Sequence, residues 1–282
     1  AGAEFDVIRV RNNQKVGTIK SGPDGKCEIG KLLRDTYKLV ETKAPEGYMP
    51  LTKPIMVTPA DFDTNKIAER TIENKKNPKI DICGEKKWND NNNQDKKRPD
   101  KITVILLANG KPIQNPDVKP DENGKWKYIF KNLPKYDDKG KEIKYTVKED
   151  SIANYNTKIT GDMASGFTVT NTNVEKTKVN VTKKWVGKAK DSVKVKLIAD
   201  GTEKESADLT AADSWKHEFK NLPKYDSADG HEIVYTVKEV KISGYNTVIS
   251  GSAEDGFTIT NTITGKVSIP VTKKWVGPEG TS

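Results

Sequence analysis

Three side chains that can react with one another recur in the second half of the chain, each within a segment that alternates apolar and polar residues. They are Lys183 in Val179–Trp185, Glu239 in Tyr235–Glu239 and Asn261 in Phe257–Asn261. A strand directs every second side chain to the same face, so each of these residues shares a face with its apolar neighbours. The pattern predicts an amine, a carboxyl and a carboxamide in one apolar interior, with Lys184 on the outer face.

The same three residue types occupy matching positions earlier in the chain, as Lys86, Glu149 and Asn171. Glu239 follows Glu149 by the same 90 residues that separate Asn261 from Asn171. The inward face here is expected to hold Gly84, Lys86 and Trp88, then Tyr145, Val147 and Glu149, and then Phe167, Val169 and Asn171. We therefore expect two copies of one site.

A buried amine, carboxyl and carboxamide without partners would each cost several kcal/mol. Two arrangements relieve that cost. One is a buried Lys–Glu ion pair that is hydrogen-bonded to the Asn. The other is covalent: the amine attacks the carboxamide and ammonia leaves, since burial favours a neutral amine and a protonated carboxyl that can polarise the carboxamide. Residue types alone leave both arrangements open.

The sites are embedded in internal repeats. Lys131–Asp137 recurs as Lys220–Asp226, Tyr145–Glu149 as Tyr235–Glu239, and Gly166–Thr172 as Gly256–Thr262; a shorter element recurs as Glu85–Trp88, Thr182–Trp185 and Thr272–Trp275. A fixed period of this kind indicates tandem modules. Period-two alternation, turn dipeptides such as Asn109-Gly110 and Asp200-Gly201, and the lack of helical periodicity predict an all-β fold of β-sandwiches.

Short links between the modules predict a stiff rod. The expected modules are 1–76, 77–173 and 174–263, and residues 264–282 are expected to supply the first strand of a further module. In the first module, Tyr37–Glu41 corresponds to the Tyr-to-Glu strand and Arg70–Asn74 to the closing strand. Glu41 and Asn74 therefore match the site, whereas no lysine-bearing strand precedes them.

Composition excludes several classes of function. The 282 residues carry a net charge of +9, but 40 acidic residues are interleaved with 49 basic ones and no nucleic-acid-binding motif is present, so no nucleic-acid partner is expected. No apolar stretch approaches a membrane span, and no catalytic triad or phosphate-binding loop is visible. We expect no enzyme activity, cofactor or metal; Asp90–Asp95 has oxygen ligands but lacks the EF-hand pattern. Cys27 and Cys83 are expected as unpaired thiols.

These motifs resemble the B-type repeats of the collagen adhesin family, the CnaB domains, over nearly all of residues 78–263. The Ala44–Tyr48 segment is similar to the related pilin-type CnaB modules. The resemblance implies an immunoglobulin-like or prealbumin-like sandwich and two isopeptide bonds: Lys86 to Asn171 assisted by Glu149, and Lys183 to Asn261 assisted by Glu239. Glu41, Asn74 and Lys273 match parts of the motif, and we expect these half-sites to stay uncrosslinked.

The resemblance also implies a structural role, that of a stalk or spacer in a Gram-positive surface adhesin that is extracellular and anchored to the cell wall. The signal peptide and the anchor are expected outside this sequence. Other domains of the parent protein would bind a host extracellular matrix protein, and this part would be a monomeric rod that does not insert into membranes. Two alternatives remain open, a module that itself binds a host ligand and a segment of a pilus shaft.

Overall fold

The computed structural model describes residues 1–265 and 269–274, and nearly all of their regular structure is β-strand. Two short 3-10 helices, Val10–Asn12 and Pro59–Asp61, are the exceptions in that part of the chain. Within the same residues, no helix has the length and apolar character needed to cross a bilayer. The predicted all-β fold is confirmed.

The chain divides into two compact units. The first unit comprises Ala1–Trp88, Asp95–Ala153 and Thr157–Asn171, and the second comprises Asn89–Gln94, Asn154–Asn156 and the chain from Thr172 onward. Two of the described apolar cores lie in the first unit and a third lies in the second.

Residues 1–76 form one four-stranded sheet. Its strands are β1 (Glu4–Arg9), β2 (Gln14–Lys20), β3 (Tyr37–Lys43) and β4 (Ile55–Val57), in the order β2-β1-β3-β4. Val7, Tyr37 and Val57 are its buried centre. The predicted strand at Tyr37–Glu41 is present as part of β3. The predicted closing strand is not, because residues 70–74 have no strand conformation.

The next part of the chain is a β-sandwich. Its strands are β5 (Lys79–Asn89), β6 (Ile102–Ala108), β7 (Lys111–Gln114), β8 (Asp117–Val118), β9 (Trp126–Pro134), β10 (Tyr145–Glu149), β11 (Tyr155–Asp162) and β12 (Gly166–Asn173). One sheet has the order β11-β12-β5-β9, and the other joins β10, β6 and β7 with β8 against β6. Residues from both sheets, including Ile82, Leu106 and Val169, form one core.

A second sandwich repeats this plan. Its strands are β13 (Lys176–Val186), β14 (Ser192–Ala199), β15 (Thr202–Thr210), β16 (Lys216–Pro223), β17 (Tyr235–Glu239), β18 (Tyr245–Ser252) and β19 (Gly256–Ile263). The sheets are β16-β13-β19-β18 and β15-β14-β17. The first strand β13 and the last strand β19 run parallel, whereas the other strand pairs of this sandwich are antiparallel. The chain thus enters this sandwich through β13 and leaves it through the adjacent strand β19.

The period-two prediction holds in both sandwiches. Val179, Val181 and Lys183 are buried along β13 while Lys184 is exposed, and Phe257, Ile259 and Asn261 are buried along β19. This alternation puts every polar site residue on the core side of its strand.

One cross-strand pair differs between the two sandwiches. Gly84 lies opposite Tyr128 across β5 and β9, and the equivalent pair across β13 and β16 is Val181 opposite His217. The Tyr128 ring occupies the space over Gly84, such that a Cβ there would lie 2.0 Å from the Tyr128 Cζ. The Tyr128 hydroxyl donates a hydrogen bond to the Phe167 carbonyl, at 3.1 Å. Position 84 must therefore be glycine as long as Tyr128 lies opposite it.

We predict that Gly84→Val lowers the free energy of unfolding by about 1–3 kcal/mol or more, because the new side chain overlaps the Tyr128 ring. Adding Tyr128→His recreates the pair found in the second sandwich and should recover most of the loss. Urea unfolding of the two variants measures the effect. Equal stabilities of the single and the double variant would contradict this account.

Candidate functional site

The second sandwich gathers the three predicted side chains in its core. Strand β13 contributes Lys183, the neighbouring parallel strand β19 contributes Asn261, and strand β17 of the opposite sheet contributes Glu239. In the β13–β19 register Lys183 lies beside Ile259, so Asn261 is two residues further along on the same face. Relative exposures are 3% for Lys183 and 0% for Asn261, and the Glu239 side chain is 2% exposed. All three side chains are therefore buried.

Glu239 contacts both of the other groups. Its Oε2 lies 3.3 Å from the Lys183 Nζ, and its Oε1 accepts a hydrogen bond of 2.6 Å from the Asn261 Nδ2. The Lys183 Nζ also lies 3.1 Å from the Lys184 carbonyl and 3.3 Å from the Ile259 carbonyl. One carboxyl thus bridges the amine and the carboxamide.

The first sandwich buries the corresponding residues Lys86, Glu149 and Asn171, although Asn171 makes no hydrogen bond to Glu149 among the described residues. The Lys86 Nζ lies 3.5 Å from the Glu149 Oε1, and both side chains are fully buried. The Lys86 Nζ also donates to the carbonyls of Lys87, at 3.0 Å, and Val169, at 3.4 Å. Asn171 on β12 is 0% exposed. The predicted sets are therefore brought together in both sandwiches.

Several polar atoms of these sites lack hydrogen bonds within the described residues. They are Oδ1 and Nδ2 of Asn171, Oδ1 of Asn261, Oε1 of Glu149 and Oε2 of Glu239. The two carboxyl oxygens face the lysine amines at the ion-pair distances given above. A buried carboxamide oxygen without a donor costs about 1–3 kcal/mol. Such cost is common at sites where chemistry takes place.

A tryptophan ring covers each lysine amine. The Lys86 Nζ lies 4.1 Å from the centre of the Trp88 ring, and the Lys183 Nζ lies 4.3 Å from that of Trp185. Burial lowers the pKa of Lys183 from its ordinary value of 10.5, although the charge and the hydrogen bond of Glu239 oppose the shift. A lowered pKa increases the fraction of neutral amine, which is the nucleophilic form.

Residues 1–76 contain the carboxyl and the carboxamide. The Asn74 Nδ2 lies 3.0 Å and 2.9 Å from the two Glu41 oxygens and 2.9 Å from the Met49 carbonyl. The Leu51 N–H donates to the Glu41 Oε2 at 2.7 Å. No ion pair joins Glu41 to a lysine in the described part of the chain. The predicted half-site is thus assembled although Asn74 lies outside any strand.

Lys273 is exposed, and the described residues 269–274 around it have no strand conformation. Trp275 and the rest of the predicted first strand, through residue 282, lie outside the described residues.

Two threonines at the site were not identified from the sequence. The Thr157 hydroxyl donates to the Glu149 Oε2 at 2.9 Å, and the Thr247 hydroxyl donates to the Glu239 Oε1 at 3.2 Å. A signal was available, because both belong to a repeated Tyr-Asn-Thr segment, Tyr155–Thr157 and Tyr245–Thr247. The sequence of these two strands, β11 and β18, does not indicate that either threonine lies beside a buried carboxyl, because their residues are mostly exposed.

The structure also places four other residues considered in the sequence, Asp90, Cys27, Cys83 and His231. Asp90 was expected in an exposed polar loop, but it is 1% exposed and accepts hydrogen bonds from the Tyr155 hydroxyl and the Asn93 N–H, both at 3.0 Å. The structure therefore makes Asp90 an internal support of its loop. Cys27 and Cys83 are free, exposed thiols. His231 lies on the surface between Asp229 and Asp200.

The sequence matches known domain families over most of its length. Residues 82–172 and 179–262 each match the Cna protein B-type domain, and residues 1–76 match the prealbumin-like fold domain. The chain belongs to the Cna protein B-type domain family. One matched B-type domain contains Lys86, Glu149 and Asn171, and the other contains Lys183, Glu239 and Asn261, so each B-type domain encloses one complete buried set.

Named relatives include a collagen adhesin and two structures of B repeat units. A collagen adhesin of Staphylococcus aureus is 37% identical over 254 residues, which cover 86% of this chain and 20% of that protein. The chain therefore spans about a fifth of the length of that relative. A crystal structure of a single B repeat unit of the collagen-binding surface protein of S. aureus is 38% identical, with 67% of this chain and 100% of that chain covered and a TM-score of 0.31. The structure of two such units is 32% identical and covers 93% of this chain and 70% of that chain, with a TM-score of 0.33.

We predict a pH effect in an Asn261→Ala variant of the second B-type domain, in which Lys183 has no carboxamide to attack. Because burial lowers the pKa of Lys183 only in the folded state, the unfolded chain binds the proton more tightly. The free energy of unfolding should therefore rise as the pH rises through the lowered pKa towards the ordinary value of 10.5.

Urea unfolding across this pH range measures the effect, and the control is the double variant Lys183→Met, Asn261→Ala. The double variant should lack the lysine contribution to the pH slope. Parallel pH profiles for the two variants would show that Lys183 has the same pKa in the folded and unfolded states.

Proposed function

We propose that this chain is a structural stalk segment of a Gram-positive surface adhesin, in which each of two B-type domains is closed by a Lys–Asn isopeptide bond. The bonds would join Lys86 to Asn171 and Lys183 to Asn261. The observation that carries the proposal is the enclosure of an amine, a carboxyl and a carboxamide in each sandwich, with Glu239 in contact with both Lys183 and Asn261.

The reaction requires no cofactor. The neutral Lys183 Nζ attacks the Asn261 Cγ, forming a C–N bond, and the protonated Glu239 donates to the developing oxyanion on Oδ1. The carboxylate then takes a proton from the attacking nitrogen and passes one to Nδ2. As the carbonyl re-forms, the Oδ1 proton returns to the carboxylate and the Cγ–Nδ2 bond breaks, so the products are one secondary amide, ammonia and the regenerated carboxyl group.

Several features of the site support this chemistry over a permanent ion pair. Exclusion of water favours the neutral amine and removes the competing hydrolysis of the carboxamide. The carboxamide oxygens of Asn171 and Asn261, which have no donor among the described residues, are free to accept a proton from the glutamic acid. Adjacent strands hold the amine and the carboxamide, so little motion is needed for attack.

A bond between the first and last strands suits a stalk. Lys86 and Asn171 enclose a loop of about 85 residues, and closing such a loop stabilises the folded state by roughly 4–5 kcal/mol through the entropy of the unfolded chain. Because β13 and β19 are adjacent, tension applied through them would pass directly across the amide. The strands between the bonded residues would carry none of that load.

The relatives support a proposal for the cellular setting. Because a collagen adhesin of S. aureus is 37% identical to this chain over 254 residues, we propose an extracellular, cell-wall-anchored parent protein whose other domains contact the host matrix. We further propose that the modules span 1–76, 77–173 and 174–263 and act as a monomeric spacer. Lys273 would belong to a following module.

We predict that the intact mass of the chain is lower than the sequence mass by two molecules of ammonia. Glu149→Gln keeps the shape of the side chain but removes its acid, so that this variant should lose only one ammonia. Glu149→Gln combined with Glu239→Gln should lose none. High-resolution mass spectrometry of the purified proteins makes the measurement.

The matched control is Glu142→Gln, which changes an exposed glutamate beside β10 and should leave the loss of two ammonia molecules intact. An unshifted wild-type mass would refute the crosslinks and support the buried ion pair.

We predict that pulling on the wild-type chain from its two ends extends only the segments outside the crosslinks. Glu149→Gln should release an additional roughly 300 Å, the contour length of about 85 residues at ~3.3–3.6 Å each. Single-molecule force spectroscopy measures this length. Full extension of the wild-type chain at the force that unfolds Glu149→Gln would argue against transmission of tension through the Lys86–Asn171 crosslink.

A further inference from the structure

We infer that Thr157 and Thr247 are positioning residues for isopeptide formation, acting through the glutamates rather than on the reacting atoms; this inference rests on the proposed function. In each B-type domain the threonine hydroxyl donates to one oxygen of the assisting carboxyl, from Thr157 to Glu149 at 2.9 Å and from Thr247 to Glu239 at 3.2 Å. The contact recurs independently in the two domains.

In each domain the threonine and the lysine contact different oxygens of the carboxyl. In the first domain Thr157 binds Oε2 of Glu149, and Oε1 faces the Lys86 amine at 3.5 Å. In the second domain Thr247 binds Oε1 of Glu239, and Oε2 faces the Lys183 amine at 3.3 Å. The atom labels are exchanged between the domains, but the division is the same: one oxygen is held by the threonine and the other is turned to the lysine.

This division matters because a glutamate carboxyl rotates easily. Its terminal torsion is broad and roughly two-fold, so a single contact with the amine leaves the plane of the carboxyl undefined. A hydroxyl donor on one oxygen fixes that plane. It also occupies this oxygen as an acceptor, which leaves the lysine-facing oxygen to take the proton from the attacking nitrogen. In the second domain the Asn261 Nδ2 lies 2.6 Å from the threonine-bound Oε1, which is the oxygen placed to pass a proton to the departing nitrogen.

The strand arrangement explains how the hydroxyl reaches the site. Thr247 on β18 lies directly opposite Asn261 on β19, so its side chain is on the same face of the sheet as the carboxamide, at an exposed position next to the buried set. Glu239 ends strand β17 of the other sheet. The hydrogen bond therefore connects the two sheets beside the three polar groups. Among the residues that the structure describes, the other donor to that oxygen is the Asn261 Nδ2.

Residues 1–76 provide a third instance with a different donor. There the Leu51 N–H donates to the Glu41 Oε2 at 2.7 Å, while the Asn74 amide contacts both carboxyl oxygens. A donor other than the asparagine amide thus contacts the glutamate in each of the three Glu–Asn sets. In the two complete sets that donor is a threonine hydroxyl, which can be removed by substitution.

The test compares Thr247→Val, which replaces the hydroxyl by a methyl group, with Thr247→Ser, which keeps it. Each protein is made by cell-free synthesis, quenched at intervals and digested, and the Lys183–Asn261 crosslinked peptide is quantified by mass spectrometry. The Lys86–Asn171 crosslink in the same molecules is the internal reference. Ser250→Ala, at an exposed position of β18, is the control for changing a hydroxyl on that strand.

We expect Thr247→Val to slow formation of the Lys183–Asn261 crosslink by about tenfold, the scale of one lost hydrogen bond. The internal reference should be unchanged, and Thr247→Ser should bond within about twofold of the wild-type rate. Fully crosslinked Thr247→Val should unfold thermally close to the wild type, since the hydroxyl would act on the reaction rather than on the finished fold.

A wild-type rate for Thr247→Val would overturn the inference, and so would a Thr247→Ser variant as slow as Thr247→Val, because packing of the side chain would then explain the effect. If Thr247→Val does not fold by circular dichroism, the corresponding pair at Thr157 decides the question. If the wild-type chain forms neither crosslink, the proposed function itself fails and the inference falls with it. Crosslinks in the wild type combined with an unaffected valine variant refute the threonine role alone.

Discussion

The structure of each sandwich depends on bringing three polar side chains together in an otherwise apolar core. Lys183, Glu239 and Asn261 come from three strands in two sheets, and each would carry a desolvation cost if it were buried alone. They offset one another only when β13 lies parallel to β19 and β17 closes over them. The polar set is therefore a constraint on topology: a slip of one residue in any of the three strands would turn its polar group to solvent and leave the others without a partner.

The sequence was sufficient to predict the polar core because the prediction needed only the period of a strand. Apolar neighbours two residues away fix the face of Lys86 and Lys183, and the buried positions of Glu149 and Asn171 follow in the same way. The threonine contacts were beyond this reasoning. Thr157 and Thr247 belong to strands whose residues are mostly exposed, and only the pairing of those strands with β12 and β19 shows that the hydroxyls reach a carboxyl in the opposite sheet.

Other differences from the expectation have similar causes. Arg70–Asn74 corresponds in sequence to a closing strand, but a strand needs a partner, and this segment pairs with none of the four strands of its sheet and is irregular. Asn74 nevertheless reaches Glu41, since that contact depends on side chains alone. The run Asp90–Asp95 is polar enough to predict a solvated loop, yet the Tyr155 hydroxyl draws Asp90 inside. The composition of a segment does not show which of its residues accepts a hydrogen bond from a residue far away in the sequence, as Asp90 does from Tyr155.

The first sandwich pairs Gly84 with Tyr128, whereas the second pairs Val181 with His217. This difference limits how such repeats can recombine during evolution. A crossover that transplanted β13 into the first sandwich would set valine beneath the Tyr128 ring, in a space that has no room for a Cβ. The hybrid gene would encode all three polar residues and still fold poorly. A recombination that keeps the fold must therefore transfer both strands of the antiparallel pair together, either β5 with β9 or β13 with β16.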